Sequence, residues 1–492
     1  MVSLRSHPHL YQINTWPWLD RLSRHAGRTI TLADVPDEHW DRLRDSGFDL
    51  VYLLGIWQRS PIGREIARAT PSLFPSYEAA LPLWRPRDVV GSAFSIAAYE
   101  PDARIGTFDD LDAVREKLHA RGMRLIVDFV PNHLGFDHRW IDEHPDRFVT
   151  APEDRHRGEP DAFRRVEGTD GQVRFIACAR DPNFPPWTDV AQLDYSKPGV
   201  RAAMIDVLRS IAEHADGARC DMAMLVLSDV FRRTWSHLAG PVPPEEFWGT
   251  AAEALPRFLL LAEVYWNLEA RLQHLGFSFT YDKTLYDRLR AGSAPDVRAH
   301  LTADLSYQRR MARFIENHDE PRSSDAFGPR VTAAAVAIAT LPGLRFFGDG
   351  QLEGRRVRVP VQLGAVADEP VDAALADFYR RLLEISNDPI FHAGEWQLSD
   401  IVPIDGSSSQ VLAWQWRATR GECRLVVVNL GASTAQARVD VRGDLPQGDR
   451  IAFEDRLNGQ LYERGRSELA ADGLYVRLDA GGAHVFAWRP MI

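Results

Sequence analysis

The sequence predicts an α/β fold: a (β/α)8 TIM barrel with a short excursion after strand 3 and a C-terminal antiparallel β-sandwich. One observation is that short apolar runs alternate with amphipathic segments, which is typical of βα units around a parallel sheet. A second is a long polar connection, residues 134–197, that interrupts this alternation. A third is the change after about residue 392 to short apolar runs separated by turns, which favours antiparallel strands.

The parallel strands are predicted from apolar runs that lack the alternation of a half-exposed sheet. Four of these runs are residues 48–54, 124–130, 258–263 and 344–347. Strands covered by helices on both faces need apolar side chains on both sides. Amphipathic helices lead into these runs, and eight such strand–helix units would close a barrel.

Two helices between the strands are readable from the sequence. Thr107 and Asp110 form a capping pattern, an apolar stripe at helical spacing follows, and Gly122 supplies the C-terminal stop. A second helix is predicted over about residues 200–215, ending before Gly217. Each of these helices leads directly into a predicted strand.

Three domains are predicted from these patterns. The catalytic barrel comprises residues 1–133 and 198–391, and the β-sandwich comprises residues 392–492. Residues 134–197 are rich in Pro, Asp, Arg and Gly, with one short strand candidate at 173–176. Because a long loop inside a compact domain is usually functional, this excursion is predicted to stand over the barrel mouth.

Composition excludes several classes of function. The 492-residue chain has a formal net charge of −11, which argues against a nucleic-acid partner. Its three cysteines lack CxxC spacing, so neither a disulfide framework nor a zinc site is expected. No membrane span and no signal peptide are recognisable, which predicts a cytoplasmic protein and no membrane partner. The oligomeric state stays open.

Charged and polar residues stand at the ends of predicted strands. The segments are residues 128–133, 219–221, 263 and 317–319. In a barrel the carboxyl ends of all strands face one mouth, so these groups are expected to converge. Taken singly, a lone aspartate is more often a helix cap and a lone histidine more often a structural group. Their joint occurrence in barrel order favours a catalytic site.

These segments resemble the signature regions of the α-amylase family (glycoside hydrolase family 13 type), whose (β/α)8 enzymes act on α-glucosidic bonds. The resembling stretches are, in chain order, residues 128–133, 217–223, 262–263 and 316–319. Residues 94–99, followed by Gly106 and Thr107, also resemble the family's stretch before the third strand. The resemblance covers the barrel and is compatible with the family's C-terminal sandwich.

The resemblance implies a retaining mechanism. Asp221 stands at the nucleophile position, Glu263 at the general acid/base position and Asp319 at the transition-state stabiliser position. A retaining glycosidase needs two carboxyl groups about 5–5.5 Å apart, and its acid needs a raised pKa. Arg219 precedes Asp221 by two residues on the same strand, so it points the same way and would keep Asp221 ionised.

Substrate-binding roles are implied for six positions, which are Phe94, Asp128, His133, Arg219, Asn317 and His318. The histidines would hold sugar hydroxyls, and Phe94 would stack on a glucose ring. The sequence departs from the family at Phe94, where tyrosine is frequent. It departs again at Met224 and Leu225, where many amylases carry a Lys-His pair.

The family's calcium site uses the asparagine of the first region, which is Asn132 in this chain. Calcium takes roughly six to eight oxygen ligands, several of them carboxylates in tight sites. Asp189 and Asp194 could supply charge, but Gln192 stands near a position where an acidic ligand is common. No cofactor is therefore expected to be required, and Asn132 is expected to belong to a weak calcium site or none.

The leading hypothesis is a retaining hydrolase of α-glucans or maltooligosaccharides that works through a covalent glucosyl-enzyme. The alternative is a transglycosylase or isomerase of small α-glucosides, of the trehalose synthase or sucrose type, which would share every residue named above. A non-catalytic glucan-binding protein is the third hypothesis. The presence of nucleophile, acid/base, stabiliser and orienting arginine argues against it, since binding alone does not need all four.

Overall fold

Eight parallel strands close into a barrel at the centre of the computed structural model, which describes residues 4–419, 421–445 and 447–490. Strands that follow each other in the chain are neighbours in the barrel, and the first pairs with the eighth. In chain order the barrel strands are His9–Asn14, Leu50–Leu54, Arg124–Phe129, Gly217–Cys220, Leu259–Ala262, Phe279–Tyr281, Met311–Arg313 and Leu344–Phe347. The predicted fold class is confirmed. Residues 1–3, 420, 446 and 491–492, which fall in the predicted barrel and sandwich domains, lie outside the described residues.

Helices cover the outside of the barrel. In chain order they are Thr15–Ala26, Asp37–Asp45, Phe108–His119, Pro198–His214, Ser228–Trp235, Phe247–Ala254, Glu269–His274, Lys283–Ala291, Ala294–Leu301, Leu305–Gln308, Ser323–Phe327, Val331–Thr340, Ala373–Ser386 and Ile390–Ala393. The helix Phe108–His119 begins as predicted, because Thr107 and Asp110 each accept a main-chain N–H from the other. Its apolar stripe is fully buried, and Gly122 follows with a φ of 78°.

A five-stranded antiparallel sheet lies between the third and fourth barrel strands in the chain. Its strands are His133–Gly135, Thr150–Ala151, Phe163–Glu167, Val173–Ala179 and Trp187–Gln192, with short helices at Trp140–Glu143 and Glu153–Gly158. The sequence indicated only the strand that begins at Val173. The others are short or carry charged side chains, so they lack a readable apolar pattern. The bounds of this excursion as a domain stay a prediction.

A second excursion, which the sequence did not predict, follows the second barrel strand. Strands Trp57–Arg59 and Ile96–Pro101 pair there, with helices Pro61–Ala69 and Phe74–Ala80 between them. The Ser95 hydroxyl donates to the main-chain oxygen of Asp189 at 2.9 Å, which joins the two excursions. This segment carries Phe94 to the barrel mouth.

Two antiparallel sheets follow the barrel in the chain. The larger contains Glu395–Leu398, Val411–Arg417, Cys423–Asn429, Arg450–Asp455, Gln460–Gly465 and Ala483–Pro490, and the smaller contains Ile401–Pro403, Ala435–Val439 and Leu474–Leu478. Alternate side chains of both sheets form a common apolar core, and a helix, Arg466–Asp472, adds Leu469 to it. The Trp416 indole donates to the main-chain oxygen of Thr340 at 2.7 Å, which ties the larger sheet to a barrel helix.

No helix in the described ranges is both long and apolar enough to cross a membrane. The three cysteines are buried. Burial raises the pKa of the Cys178 thiol to about 12 and that of Cys220 well above its usual range. Both thiols therefore stay protonated at neutral pH, and neither is a ready nucleophile.

Candidate active site

One guanidinium contacts three carboxyl groups at the carboxyl end of the barrel. Arg219 belongs to the fourth strand, Asp221 follows that strand, Glu263 follows the fifth, and Asp319 lies in the loop after the seventh. Arg219 Nη1 lies 2.7 Å from Asp221 Oδ1. Arg219 Nη2 lies 2.8 Å from Glu263 Oε2 and 3.8 Å from Asp319 Oδ2. Parallel strands end at the same edge, so residues far apart in the chain meet here.

The site holds more potential negative than positive charge. Arg219 is fully buried, and Asp221 and Glu263 are 5% and 4% exposed. Burial raises the pKa of Glu263 to about 7 against the opposing charge of Arg219, and Asp221 and Asp319 add to the rise. Burial also raises the pKa of Asp221, again opposed by Arg219. Burial would raise the pKa of Asp319 too, but His318 and Arg219 outweigh it and hold that pKa at about 2. Glu263 is therefore the carboxyl that retains a proton nearest neutral pH.

Both carboxyl oxygens of Glu263 accept hydrogen bonds from the protein. Oε2 accepts the main-chain N–H of Met222 at 2.7 Å, and Oε1 accepts the hydroxyl of Tyr265 at 2.8 Å. Met222 and Tyr265 also line a cavity of about 490 Å³ that Phe184, from the first excursion, helps to enclose. Open space therefore adjoins the acid/base candidate.

Asp128, on the third barrel strand, pairs in register with Arg219 on the neighbouring fourth strand. It is fully buried. One carboxylate oxygen accepts the hydroxyl of Tyr52, and the other accepts the main-chain N–H of Gly55 at 2.6 Å. Burial raises the pKa of Asp128, opposed by these two hydrogen bonds. Its predicted role in substrate binding stays a prediction, because the contacts seen are with the protein itself.

His318 and Phe94 lie against the cluster formed by Arg219 and the three carboxyl groups that it contacts. His318 Nε2 lies 3.0 Å from Asp319 Oδ2, and its Nδ1 lies 3.1 Å from the side-chain oxygen of Gln12. The half-buried ring of Phe94 lies 5.4 Å from the His318 ring and 5.0 Å from the guanidinium carbon of Arg219. These contacts place both predicted binding residues beside the carboxyl groups.

His133 and Asn317 take different positions. The ring of His133 lies 5.5 Å from that of Trp187, and burial lowers the pKa of His133 to about 3. His133 is therefore a neutral hydrogen-bonding group. The side-chain oxygen of Asn317 accepts the main-chain N–H groups of Asp319 and Glu320 at 2.9 and 3.0 Å. Asn317 thus orders the loop that carries Asp319, and its predicted sugar contact stays a prediction.

Four residues that contact the site residues are not predicted from the sequence: Gln12 contacts His318, Tyr52 contacts Asp128, Tyr265 contacts Glu263 and Tyr281 contacts Arg219. Gln12 lies on the first barrel strand, where His9 and Asn14 are also polar, so the sequence pattern does not single it out. Tyr281, on the sixth strand, lies beneath Arg219 with its ring centroid 5.7 Å from the guanidinium carbon. Tyrosines are common in cores, so neither Tyr52 nor Tyr281 carried a distinguishing signal.

Comparisons with known proteins agree on one family. A family model described as the catalytic domain of α-amylase matches residues 92–167. An α-amylase of Haloarcula japonica is 27% identical over 353 residues, 68% of this chain and 47% of that protein. The crystal structure of a maltogenic α-amylase from Thermotoga neapolitana matches with a TM-score of 0.68 and 18% identity, covering 98% of both chains. A trehalose synthase/amylase of Mycobacterium tuberculosis is 30% identical over 135 residues, 25% of this chain and 22% of that protein. The chain is thus similar in sequence and in fold to α-amylases.

The chain spans about half the length of the first curated α-amylases it matches, 47% and 52%. The predicted family resemblance is confirmed. Met224 and Leu225, at the positions where many members of the family carry a Lys-His pair, lie buried in a 3-10 turn, Ala223–Val226. This turn therefore presents no cationic side chain.

The residues at the family's calcium position do not fit a calcium ion. The side-chain nitrogen of Gln192 donates to the side-chain oxygen of Asn132, to the main-chain oxygen of Asn132 and to that of Leu193, each at 3.0 Å. An amide nitrogen thus occupies the place where a cation would meet these oxygens. Within the described ranges, no cluster of three or more His, Cys, Asp or Glu side chains could hold a metal ion. No step of the chemistry is assigned to a metal.

Proposed function

We propose that this chain is a retaining glycoside hydrolase that cleaves α-glucosidic bonds of α-glucans or maltooligosaccharides. The observation that carries the proposal is the contact of one buried guanidinium, Arg219, with three carboxyl groups. Their protonation tendencies differ, with Glu263 raised to a pKa of about 7 and Asp319 lowered to about 2. Two carboxyl groups whose pKa values differ in this way can be acid and anion at the same pH. The substrate class is taken from the names of the relatives.

The first displacement forms the covalent intermediate. Asp221 attacks the anomeric carbon while the bond from that carbon to the leaving oxygen breaks, and Glu263 gives its proton to that oxygen. Arg219 keeps Asp221 ionised and oriented. The cavity beside Glu263 accommodates the leaving sugar, because the acid must face the glycosidic oxygen.

The second displacement releases the sugar. A water molecule attacks the anomeric carbon, the bond to Asp221 breaks, and Glu263 takes the proton from the water. Asp319 and His318 hold sugar hydroxyls more strongly as the ring flattens towards the oxocarbenium ion, which favours the transition state. Phe94 and His133 complete the glucose site, with Phe94 stacking on the ring.

Two variants test this assignment. Asp221→Asn and Glu263→Gln should each reduce turnover of maltooligosaccharides by several orders of magnitude, because each removes a group used in the transition state. Thermal unfolding should show that both variants remain folded. Glu253→Gln, on an exposed face of the helix Phe247–Ala254, is the matched control and should retain wild-type turnover. Near-normal activity in either site variant would remove the basis of the mechanism.

A transglycosylase or isomerase is the second candidate. The observation that favours it is the 30% identity over 135 residues with the trehalose synthase/amylase. It would use the same intermediate but pass the glucosyl group to another sugar. Product analysis on maltooligosaccharides, maltose, sucrose and trehalose distinguishes the two, since a hydrolase yields reducing sugar and an isomerase a rearranged disaccharide. Binding of maltooligosaccharides without any turnover would instead support a glucan-binding protein.

A further inference from the structure

The two oxygens of Glu263 differ in what they contact. Oε2 accepts the N–H of Met222 at 2.7 Å and lies 2.8 Å from the Arg219 guanidinium. Oε1 contacts the Tyr265 hydroxyl at 2.8 Å. An oxygen that faces two donors has no room for a proton of its own. The proton of the neutral acid is therefore carried by Oε1, the oxygen beside Tyr265.

The main chain holds Tyr265 in this position. Trp266 and Asn267, which follow it, have φ values of 64° and 59°. Left-handed backbone is unfavourable for a non-glycine residue, and it persists only where the surroundings hold the turn. Tyr265 also lines the 490 Å³ cavity. Tyr265 thus contacts Glu263 through its hydroxyl and also borders the space assigned to the leaving sugar.

The hydroxyl interacts differently with the two states of Glu263. Towards the protonated acid, it makes an ordinary hydrogen bond between neutral groups. Towards the carboxylate left after proton transfer, it makes a charge-assisted bond, which is roughly twice as strong. Burial raises the pKa of Tyr265 well above its usual range, so the phenol keeps its own proton and stays a donor.

We infer that Tyr265 is a positioning residue that keeps the acid proton of Glu263 on Oε1, facing the leaving group, and stabilises the carboxylate formed when that proton is transferred. This inference rests on the proposed function. The proton passes from Oε1 to the glycosidic oxygen as the bond to the anomeric carbon breaks, and the Tyr265 O–H bond stays intact throughout.

Tyr265→Phe removes the hydroxyl and keeps the ring. For maltooligosaccharides, kcat/KM at its pH plateau should fall about tenfold, the effect of one charge-assisted hydrogen bond. The basic limb of the pH profile should move to higher pH, because the carboxylate loses a donor. KM should change little. With α-glucosyl fluoride, whose leaving group needs no proton, kcat/KM should fall about twofold at most.

A second substitution at Tyr265 and a matched control complete the test. Tyr265→Ala should displace the basic limb in the same direction, even if loss of the ring raises KM. Tyr195→Phe is the matched control: its hydroxyl donates to the main-chain oxygen of Pro131 at 2.8 Å, and its loss should leave the basic limb in place. An unchanged limb in both Tyr265 variants, or a limb moved to lower pH, would overturn the inference.

The failure of the inference is distinguishable from the failure of the proposed function. Full turnover by Glu263→Gln would contradict the function itself, and the inference with it. An inactive Glu263→Gln together with a wild-type pH profile for Tyr265→Phe would contradict only the role of Tyr265. A rise in KM for long maltooligosaccharides with an unmoved limb would identify Tyr265 as a sugar contact alone.

Discussion

Arg219 Nη2 lies 2.8 Å from Glu263 Oε2, and the other terminal nitrogen of the same guanidinium lies 2.7 Å from Asp221. One buried cation thus bridges the two carboxyl groups assigned as acid and nucleophile. Its charge favours the ionised form of both, while burial favours the neutral form of both. At Glu263 burial outweighs the guanidinium, and the charges of Asp221 and Asp319 add to the rise, so its pKa lies at about 7 and it holds a proton near neutral pH.

The first prediction concerns the pH dependence of kcat/KM. Glu263 must be protonated to act as the acid, and burial raises its pKa to about 7. Activity on maltooligosaccharides should therefore be highest just below this pH, where Asp221 is still ionised, and fall about tenfold per pH unit above it. The check is kcat/KM from pH 5 to 9 at constant ionic strength.

The control for this prediction uses Glu263→Gln with α-glucosyl fluoride, which needs no acid. Its kcat/KM should be independent of pH between about 6 and 8, because the titrating group has been removed. A basic limb that persists near pH 7 in this variant would assign the titration to another group.

The second prediction concerns stability at low pH. Burial lowers the pKa of several histidines, among them His7 and His133 to about 3, His138 to about 4 and His392 to about 2. Their pKa values in the folded state lie below the unfolded value near 6.5, so the stability they contribute is present above pH 6.5 and is lost as the pH falls. Between pH 6.5 and 5.5 the loss should be about 1 kcal/mol for each histidine. Urea unfolding at a series of pH values measures it.

His392→Asn tests the assignment of this loss. In the structure His392 Nδ1 donates to the main-chain oxygen of His7 at 2.9 Å, and Nε2 lies 3.0 Å from the Arg5 guanidinium. A neutral ring suits both contacts. The variant should be less stable at pH 7.5 but lose about 1 kcal/mol less on acidification. His274→Asn, at an exposed position, is the control and should leave the pH slope unchanged; an equal slope in His392→Asn would contradict the account.

The sequence predicted the barrel and the carboxyl triad for a physical reason. Strands buried on both faces require uniform apolar runs, and a barrel directs every strand end to one mouth. Glu263 ends such a run, whereas Asp221 follows the strand Gly217–Cys220, which contains Arg219, and its role was predicted from the resemblance to the α-amylase family. Gln12 could not be found in this way, because its strand also carries the polar residues His9 and Asn14 and is not a uniform apolar run.

The rest depends on loops, for which the sequence carries little signal. The contact of Tyr265 with Glu263 depends on left-handed backbone at Trp266 and Asn267, where no glycine marks the turn. The second excursion has short strands of mixed polarity. The sequence indicates that Gln192 weakens a calcium site. Its three hydrogen bonds cannot be inferred from the sequence, because they depend on how the excursion strand meets the loop after the third barrel strand.

The third prediction concerns calcium. Because the Gln192 amide satisfies the oxygens of Asn132 and Leu193, addition of EDTA should leave the melting temperature of the wild type nearly unchanged. Gln192→Glu replaces the donor with a carboxylate, so calcium should raise the melting temperature of this variant in proportion to the logarithm of its concentration. Differential scanning fluorimetry measures both. A fall of many degrees in the wild type on chelation, reversed by calcium, would contradict this account.

The stereochemistry of the first product tests the central claim most directly. Two displacements at one carbon restore the starting configuration, so a double displacement through Asp221 yields the α-anomer. Proton NMR of a maltooligosaccharide digest, recorded before the free sugar mutarotates, should show the α-anomeric signal rising first and the β-signal only later. Initial appearance of the β-anomer would show a single displacement by water and would contradict the assignment of Asp221 as nucleophile.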